Sequence, residues 1–419
     1  MTKHTPQQRL GRAAIIRMAG AARIDGQLTL HEGGETHQIG RPGRHAATMT
    51  IVRPDAWTRF ATRSGCVMSY VDGAWDSPNV VDIFTLAGSG VHSFDKLRRR
   101  LRPVRIPWLY LRRGLGNHTR EQTRNDIRAH YDLGNDFFEL MLDPSMMYSC
   151  AIFPHSEATL AQAAMHKLDV VCDKLELEES DHVVEIGSGW GGFAIHAART
   201  RGCRVTTVTI SNAQYELARA RIREAGLEDR VDVRLEDYRD VRGRYDKLVS
   251  IEMIEAVGHR NMGTYFERCS RLLEPDGRML LQAITIDDRL YDIGKLTKSF
   301  IQTEIFPNGC LPSNEVIARN IRRHTDLRAI DHEDLTDHYV CTLQKWRENL
   351  DGAVHQLDQA GYDEPFRRRW NLYLSYAEAG FVLRRTAVGQ YVFAKPGHSS
   401  RTVPRRGYDT RREHSSATG

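Results

Sequence analysis

The chain has 419 residues, of which 41% are hydrophobic and 27% charged, enough to bury a full core, divide into two units and stay clear of the composition of disordered chains. Its seven cysteines form an odd set with no Cys-x-x-Cys pair, which suggests neither a disulfide framework nor a zinc module and fits a reducing cytoplasm, with no metal site expected. No apolar run ends in a small-residue cleavage site and nowhere do eighteen uncharged apolar residues follow one another, so neither export nor a membrane span is expected; the net charge of +5 is uneven, because residues 1–118 hold 18 Lys+Arg against 8 Asp+Glu.

Residues 1–115 read as a small basic α+β domain. Leu28–Leu30, Ala47–Val52 and Cys66–Val71 alternate as short strands would, and Gly73 turns the chain before Trp75. Its positive charge gives this unit a reason to approach an anionic surface, a phospholipid headgroup layer or a nucleic acid. The run Lys96–Arg105 with Arg112 and Arg113 mixes basic residues with Leu101, Trp108 and Leu109, which suits a lipid interface as well as a solvated linker.

From about residue 160, helix-length amphipathic segments alternate with short apolar runs at Val183–Ile186, Val205–Ile210, Val231–Leu235, Lys247–Ile251 and Met279–Ile284. That alternation predicts an α/β domain, a parallel sheet with helices on both faces, over residues 116–395. A helix-rich stretch of about 287–387 carries Phe300, Ile305, Phe306, Trp346, Trp370, Tyr373, Tyr376 and Phe381 and delays a final strand at Val388–Phe393. These helices are read as an acyl-chain lid, with plain core packing as the alternative. Residues 396–419, rich in Ser, Arg and Gly, are expected to be disordered.

The first strand of the α/β unit runs into Gly187-Ser-Gly-Trp-Gly-Gly192 and then a helix. Such a turn lets a nucleotide-like ligand lie against backbone at the strand end. A dinucleotide site would place an acid at the end of the second strand, and here that strand ends Thr209-Ile-Ser211. Glu185 stands two residues before the first glycine and Asp237-Tyr238 follows the next strand, where an adenine could be hydrogen-bonded and stacked. This arrangement favours S-adenosylmethionine over NAD.

Six ordered segments, His130–Phe138, Met147–Phe153, Glu185–Gly192, Ser250–Gly258, Glu304–Ser313 and His338–Trp346, closely resemble the cyclopropane fatty acid synthases and their mycolic-acid-modifying relatives. Ser69–Asp76 is similar to the small extra domain of the full-length bacterial enzymes. The resemblance implies a Rossmann-like, seven-stranded S-adenosylmethionine-dependent methyltransferase fold with helical lid insertions. It implies cofactor contacts from Tyr148, Ser149, Gly187, Thr209, Gln214 and Tyr238, to which the turn adds Glu185 and Gly189 and the end of the Val231–Leu235 strand adds Asp237. It further implies methyl transfer to a cis double bond of an unsaturated phospholipid acyl chain, and a bicarbonate that takes the proton as the cyclopropane closes. The bicarbonate cage would be Cys150, Glu255, the backbone at Ile284, and Tyr339. Dimerisation through residues 1–118 is a family-level expectation, as is an enzyme that sits in the cytoplasm against the inner face of the membrane.

The residue types agree with that chemistry. An alkene needs no base to activate it, so no catalytic triad is required, and Tyr148 and Tyr339 offer aromatic faces to a carbocation. Glu255 lies among apolar neighbours where an unpaired carboxylate is costly, although Glu252 is an alternative for the carboxylate that faces the ligand. The sequence departs from the family pattern at Gln282, where bacterial members carry a histidine ligand of the anion, at Ala256, another usual histidine, and at Met68, a usual acid. A glutamine still donates through its amide but cannot change charge. These departures leave a mid-chain methylene or methyl-branched product as an alternative to the ring, and a small-amine methyltransferase as a further one. A nucleic-acid substrate is disfavoured, because no Pro-Pro-Tyr-type tetrapeptide follows the fourth strand.

Overall fold

The structure, a computed structural model, describes residues 5–21, 24–60, 65–90, 134–295, 297, 300–306 and 309–399. The basic run Lys96–Arg113, the start of the His130–Phe138 segment and the tail beyond Ser399 lie outside them.

The N-terminal unit opens with α1 (Pro6–Ala21) and continues through β1 (Gly26–Glu32), β2 (Glu35–Gly40), β3 (His45–Ile51), α2 (Ala56–Arg59), α3 (Gly65–Val71), β4 (Trp75–Asp76) and α4 (Val80–Ser89). Its sheet has the order β2-β1-β3-β4, with β1 and β3 parallel and the other pairs antiparallel. Cys66–Val71, expected as a strand, is the helix α3. There Ser69 Oγ donates back to Cys66 O at 3.0 Å and Trp75 Nε1 donates to the same carbonyl at 2.8 Å, so one turn of helix buries Ser69, Tyr70 and Val71 together. Six-residue runs of this kind satisfy either period, and tertiary contacts decide.

The larger unit runs α5 (Asn135–Met141), α6 (Leu160–Leu175), β5 (His182–Ile186), α7 (Gly192–Arg201), β6 (Arg204–Thr209), α8 (Asn212–Glu224), β7 (Val231–Leu235), β8 (Tyr245–Ile251), α9 (Met262–Leu272) and β9 (Leu273–Ile286). It continues with α10 (Asp288–Gly294), α11 (Phe300–Glu304), α12 (Asn314–His324), β10 (Arg328–Asp334), α13 (Thr336–Gly352), α14 (Val354–Gln359), α15 (Glu364–Val382) and β11 (Thr386–Ala394). The seven strands take the order β10-β11-β9-β8-β5-β6-β7, and only β11 runs against the rest. The expected α/β, seven-stranded, Rossmann-like sheet is therefore present.

Its central strands are covered on both faces and read as nearly unbroken apolar runs, with Val183, Val184, Leu248, Val249, Leu280 and Leu281 completely buried. The edge strand β10, Arg-Ala-Ile-Asp-His-Glu-Asp, is mostly exposed, and its charges hid it within the helix-rich stretch. Chain reversal at the carboxyl ends of β5, β6, β8 and β9 brings their following loops to one edge of the sheet, the usual place for a ligand in this topology.

The two units meet at α15. Arg368 donates to Tyr70 O at 2.7 Å and Trp75 O at 2.9 Å, pairs with Asp76 at 3.2 Å, and stacks 4.1 Å over the Tyr70 ring. Leu372, one turn on, completes the apolar core of the small unit beside Trp57, Tyr70 and Trp75.

Candidate active site

The glycine-rich turn is shaped from β5 outward. Gly187, at φ +97°, and Ser188 both donate to Val208 O at 3.0 Å, which folds the backbone back over β6 in a conformation other residues avoid. Gly192, the first residue of α7, is needed for close approach, since a Cβ there would lie 2.6 Å from both Met147 Sδ and Ser145 O. That contact seats the 142–159 loop, and with it Tyr148 and Ser149, on the turn. At Gly189 the space around a Cβ is open.

Thr209 donates to Gln214 Oε1 at 2.8 Å while Ser211 caps α8 through Gln214 N, so the two expected ligands are joined at the end of β6. Asp237 is engaged by its neighbour Arg239, whose Nε lies at 2.8 Å, and Tyr238 packs edge-on against Tyr265 with ring centroids 5.5 Å apart. Glu185 is buried, and its Oε2 has no hydrogen-bond partner among the described residues. Burial pushes its carboxyl up to about 8, with Thr207 and Lys167 pulling the other way. An unsatisfied buried acid beside an open glycine turn is the feature a cationic ligand would complete.

Beyond this half of the site the structure gathers Cys150, Glu252, Gln282 and Tyr339. Glu252 is the hub. Its Oε1 accepts from Cys150 N at 2.9 Å and from Gln282 Nε2 at 2.8 Å, and its Oε2 accepts from the Tyr339 hydroxyl at 2.7 Å. Two acceptor sites on Oε1 and one on Oε2 are thereby filled, which leaves one lone pair on Oε2 without a donor among the described residues. Glu252 also sits at φ +50°, a left-handed conformation that costs a side-chain-bearing residue roughly 1–2 kcal/mol and concentrates at functional sites.

Glu255, the carboxylate singled out from the sequence, accepts from Ile284 N at 2.6 Å through Oε1, and its Oε2 is buried without a partner among the described residues. Burial, then the charge of Glu252, pushes Glu255 up to about 8. Burial also raises Glu252, while Tyr339, Gln282, Cys150 N and Lys167 act to keep it ionised. The Cys150 thiol points at Ala151 O, 3.2 Å, and Leu335 O, 3.7 Å, and burial raises it well above the thiol range. Of the donors expected around a bicarbonate ion, Tyr339 and Gln282 are bonded to the Glu252 carboxylate and Ile284 N to that of Glu255.

Aromatic rings close the space above. Tyr148 stacks on Phe306 at 6.4 Å, meets Trp346 at 5.2 Å, and shares a 3.1 Å hydrogen bond with the Tyr373 hydroxyl; Tyr339 lies 4.6 Å from Phe381. Of the expected lid residues, Tyr376 is 37% exposed, while Phe306, Trp346, Trp370, Tyr373 and Phe381 all belong to one apolar cluster around Tyr148.

Two buried residues escaped the sequence. Lys167 on α6 is fully buried, donates to Ser149 Oγ at 2.9 Å and is lowered to about 8 by burial, against the pull of Glu252. Its position was readable in principle, since Ala163, Ala164 and Val171 at helical spacing put it on the apolar face. Gln390 on β11 donates to Gln282 Oε1 at 3.0 Å, a cross-strand contact with no local signature.

A family model described as mycolic acid cyclopropane synthetase matches residues 118–391. The tuberculostearic acid methyltransferase of Mycobacterium tuberculosis is 40% identical over 363 residues, spanning 84% of each chain. The cyclopropane-fatty-acyl-phospholipid synthase of Escherichia coli K12 is 33% identical over 362 residues, 84% of this chain and 89% of that protein. The solved mycolic acid cyclopropane synthase CmaA1, in complex with SAH and CTAB, aligns with a TM-score of 0.61 at 30% identity, covering 65% of this chain and 98% of that one. With the fold, the glycine turn and these relatives in agreement, the chain belongs to the mycolic acid cyclopropane synthetase family and is an S-adenosylmethionine-dependent methyltransferase.

Proposed function

We propose that the chain methylates the cis double bond of an unsaturated phospholipid acyl chain and that Glu252 accepts the proton the product must lose. The residues present suit the cofactor. Gly189 leaves room for it along the backbone, Gly187, Tyr148, Ser149, Thr209, Gln214 and Tyr238 would contact it, and the unsatisfied acid of Glu185 would answer its amino group. When bound, S-adenosylmethionine supplies an electrophilic methyl group on a sulfonium.

The alkene π pair forms the bond to that methyl as the bond to sulfur breaks, which leaves a cation on the second alkene carbon. The faces of Tyr148 and Tyr339 would stabilise it. One proton then leaves the methyl carbon, and its C–H pair either closes a three-membered ring or, after a hydride shift to the cation, makes a mid-chain methylene. Both routes need an acceptor close to the methyl, and the observation that carries the reading is the single open lone pair on Glu252 Oε2, in a carboxylate fixed by Cys150 N, Gln282 and Tyr339. On this reading Glu252 takes the part of the expected bicarbonate, because it accepts the Tyr339 hydrogen bond that the anion would have taken.

We favour the methylene, which a reductase would convert to a methyl branch. Aromatic stabilisation gives the cation time for the shift, and the relative at 40% identity is named a methyltransferase. Ring closure is the second reading, supported by the relative at 33% named a cyclopropane synthase. The substrate would be met at an anionic membrane face through the basic residues 1–115, as a peripheral enzyme; no helix among the described residues is long and apolar enough to cross a membrane.

The test supplies purified protein with S-adenosylmethionine carrying a CD3 group and vesicles of oleoyl phosphatidylglycerol, and follows product by mass spectrometry with ozonolysis. Two retained deuteriums and a cleavable terminal methylene are expected; an ozone-resistant product with two deuteriums means the ring, and three deuteriums would refute loss from the methyl. Glu252→Gln is expected to lower turnover at least a hundredfold with SAH affinity within threefold, and an active variant would remove Glu252 as the acceptor.

A further inference from the structure

Gln282 and Gln390 are direct register partners on β9 and β11, and both are completely buried. Gln390 Nε2 donates to Gln282 Oε1 at 3.0 Å, while Gln282 Nε2 reaches Cys150 O at 3.2 Å and Glu252 Oε1 at 2.8 Å. The two ends of a glutamine amide have nearly the same shape, so packing alone does not choose between them. Reversed, Gln282 would set an oxygen against the Glu252 carboxylate and leave Cys150 O without this donor. Glu252 and Cys150 O hold the NH2 end from the near side, and the Gln390 donor holds the oxygen end from the far side.

We propose that Gln390 is a positioning residue for the proton acceptor: by occupying Gln282 Oε1 it keeps the NH2 end of Gln282 on Glu252. The inference rests on the reading of Glu252 as acceptor and extends it one residue outward, to a side chain that touches neither Glu252 nor the reacting atoms. Gln390 keeps its own Oε1 buried without a hydrogen-bond partner among the described residues. An unmet buried acceptor is destabilising, and between Val388 and Val392 an apolar residue would serve packing better. The amide is retained for its donor.

Donation by Gln282 favours the ionised form of Glu252, so loss of the clamp lets Glu252 take up a proton at higher pH. The other groups facing Glu252 are Tyr339, Lys167, Glu255 and Cys150, and none is altered by a change at Gln390. The experiment compares Gln390→Leu, Gln282→Leu and the double variant, by turnover against pH on oleoyl phospholipid vesicles and by calorimetric titration with SAH.

Gln390→Leu is expected to move the acidic limb of turnover upward by about one pH unit, the order expected from one hydrogen bond to a charged group, with SAH affinity within twofold. In the Gln282→Leu background the same change is expected to add nothing. A limb at the wild-type pH in Gln390→Leu, or a further shift in the double variant, would overturn the proposal. Gln390→Met replaces Leu if that variant does not fold, and Gln390→His, which retains a donor, is expected to keep the wild-type limb. If Glu252→Gln is active, the acceptor reading fails and this inference with it; if Glu252→Gln is inactive while Gln390→Leu has a wild-type profile, the positioning role alone is wrong.

Discussion

Replacing Glu185 with Gln tests the cofactor half of the site without any turnover. Glu185 is 3% exposed and burial raises its carboxyl from 4.5 to about 8. Below pH 4.5 the acid holds its proton in both folded and unfolded chains and contributes no difference. Between 4.5 and 8 the unfolded chain loses the proton while the folded one keeps it, so stability falls as pH rises through that window, by about 5 kcal/mol in all for a raise of this size. A glutamine amide does not titrate and has no such dependence. In the ligand-free protein Glu185→Gln is therefore expected to match wild type near pH 4.5 and to gain steadily above it, reaching on the order of 5 °C in thermal midpoint by pH 8.5. With SAH present the gap narrows, because an ammonium beside the turn is answered by a carboxylate and not by an amide, and affinity for SAH is expected to fall at least tenfold. Scanning calorimetry at pH 5, 7 and 8.5, with and without SAH, reads both effects. A variant whose midpoint follows wild type at every pH, or that binds SAH as tightly, would refute the assignment of an unsatisfied acid to this position.

Lys167→Met gives the opposite pH signature. The buried ammonium is lowered to about 8 from 10.5, so its cost is present below pH 8 and gone above 10.5; the variant is expected to be more stable than wild type at pH 7, by about 3 kcal/mol, and equal to it near pH 10.5. The same change removes a cation from Glu252, and the acidic limb of turnover is expected to move to higher pH in the activity profile. Gly192→Ala places a Cβ 2.6 Å from Ser145 O, a backbone atom that cannot swing aside, so the loop carrying Tyr148 and Ser149 must shift. A loss of SAH affinity of tenfold or more by calorimetry, with a lower thermal midpoint, is expected.

The parallel sheet was legible because strands covered on both faces must be apolar along their whole length, and Val183–Ile186, Val205–Thr209 and Lys247–Ile251 can be little else. The glycine turn was legible for a related reason, since few sequences tolerate a positive φ at Gly187 beside close packing at Gly192. What could not be read was pairing across distance. Glu252 and Glu255 have the same local surroundings in the sequence, and only the convergence of Cys150, Gln282 and Tyr339 from three other segments separates them. The strand β10 was invisible because its exposed face carries charge where a buried strand would carry valine. Cys66–Val71 was misread because six residues do not distinguish a period of two from one of 3.6 until Trp75 packs on them.

The last strand enters the sheet between β9 and β10, two strands that precede it in the chain. During synthesis, the sheet therefore waits for the strand next to its edge. Until residues 386–394 emerge, β9 has an open edge, Gln282 has no cross-strand partner, and β10 has nothing to pair with. A nascent or truncated chain ending before Thr386 would hold the glycine turn and most of the cofactor contacts, yet leave unpinned the amide beside its acceptor. On the proposed mechanism, competence for the proton-removing step thus arrives with the closing residues of the domain, after the segments assigned to the cofactor have been made.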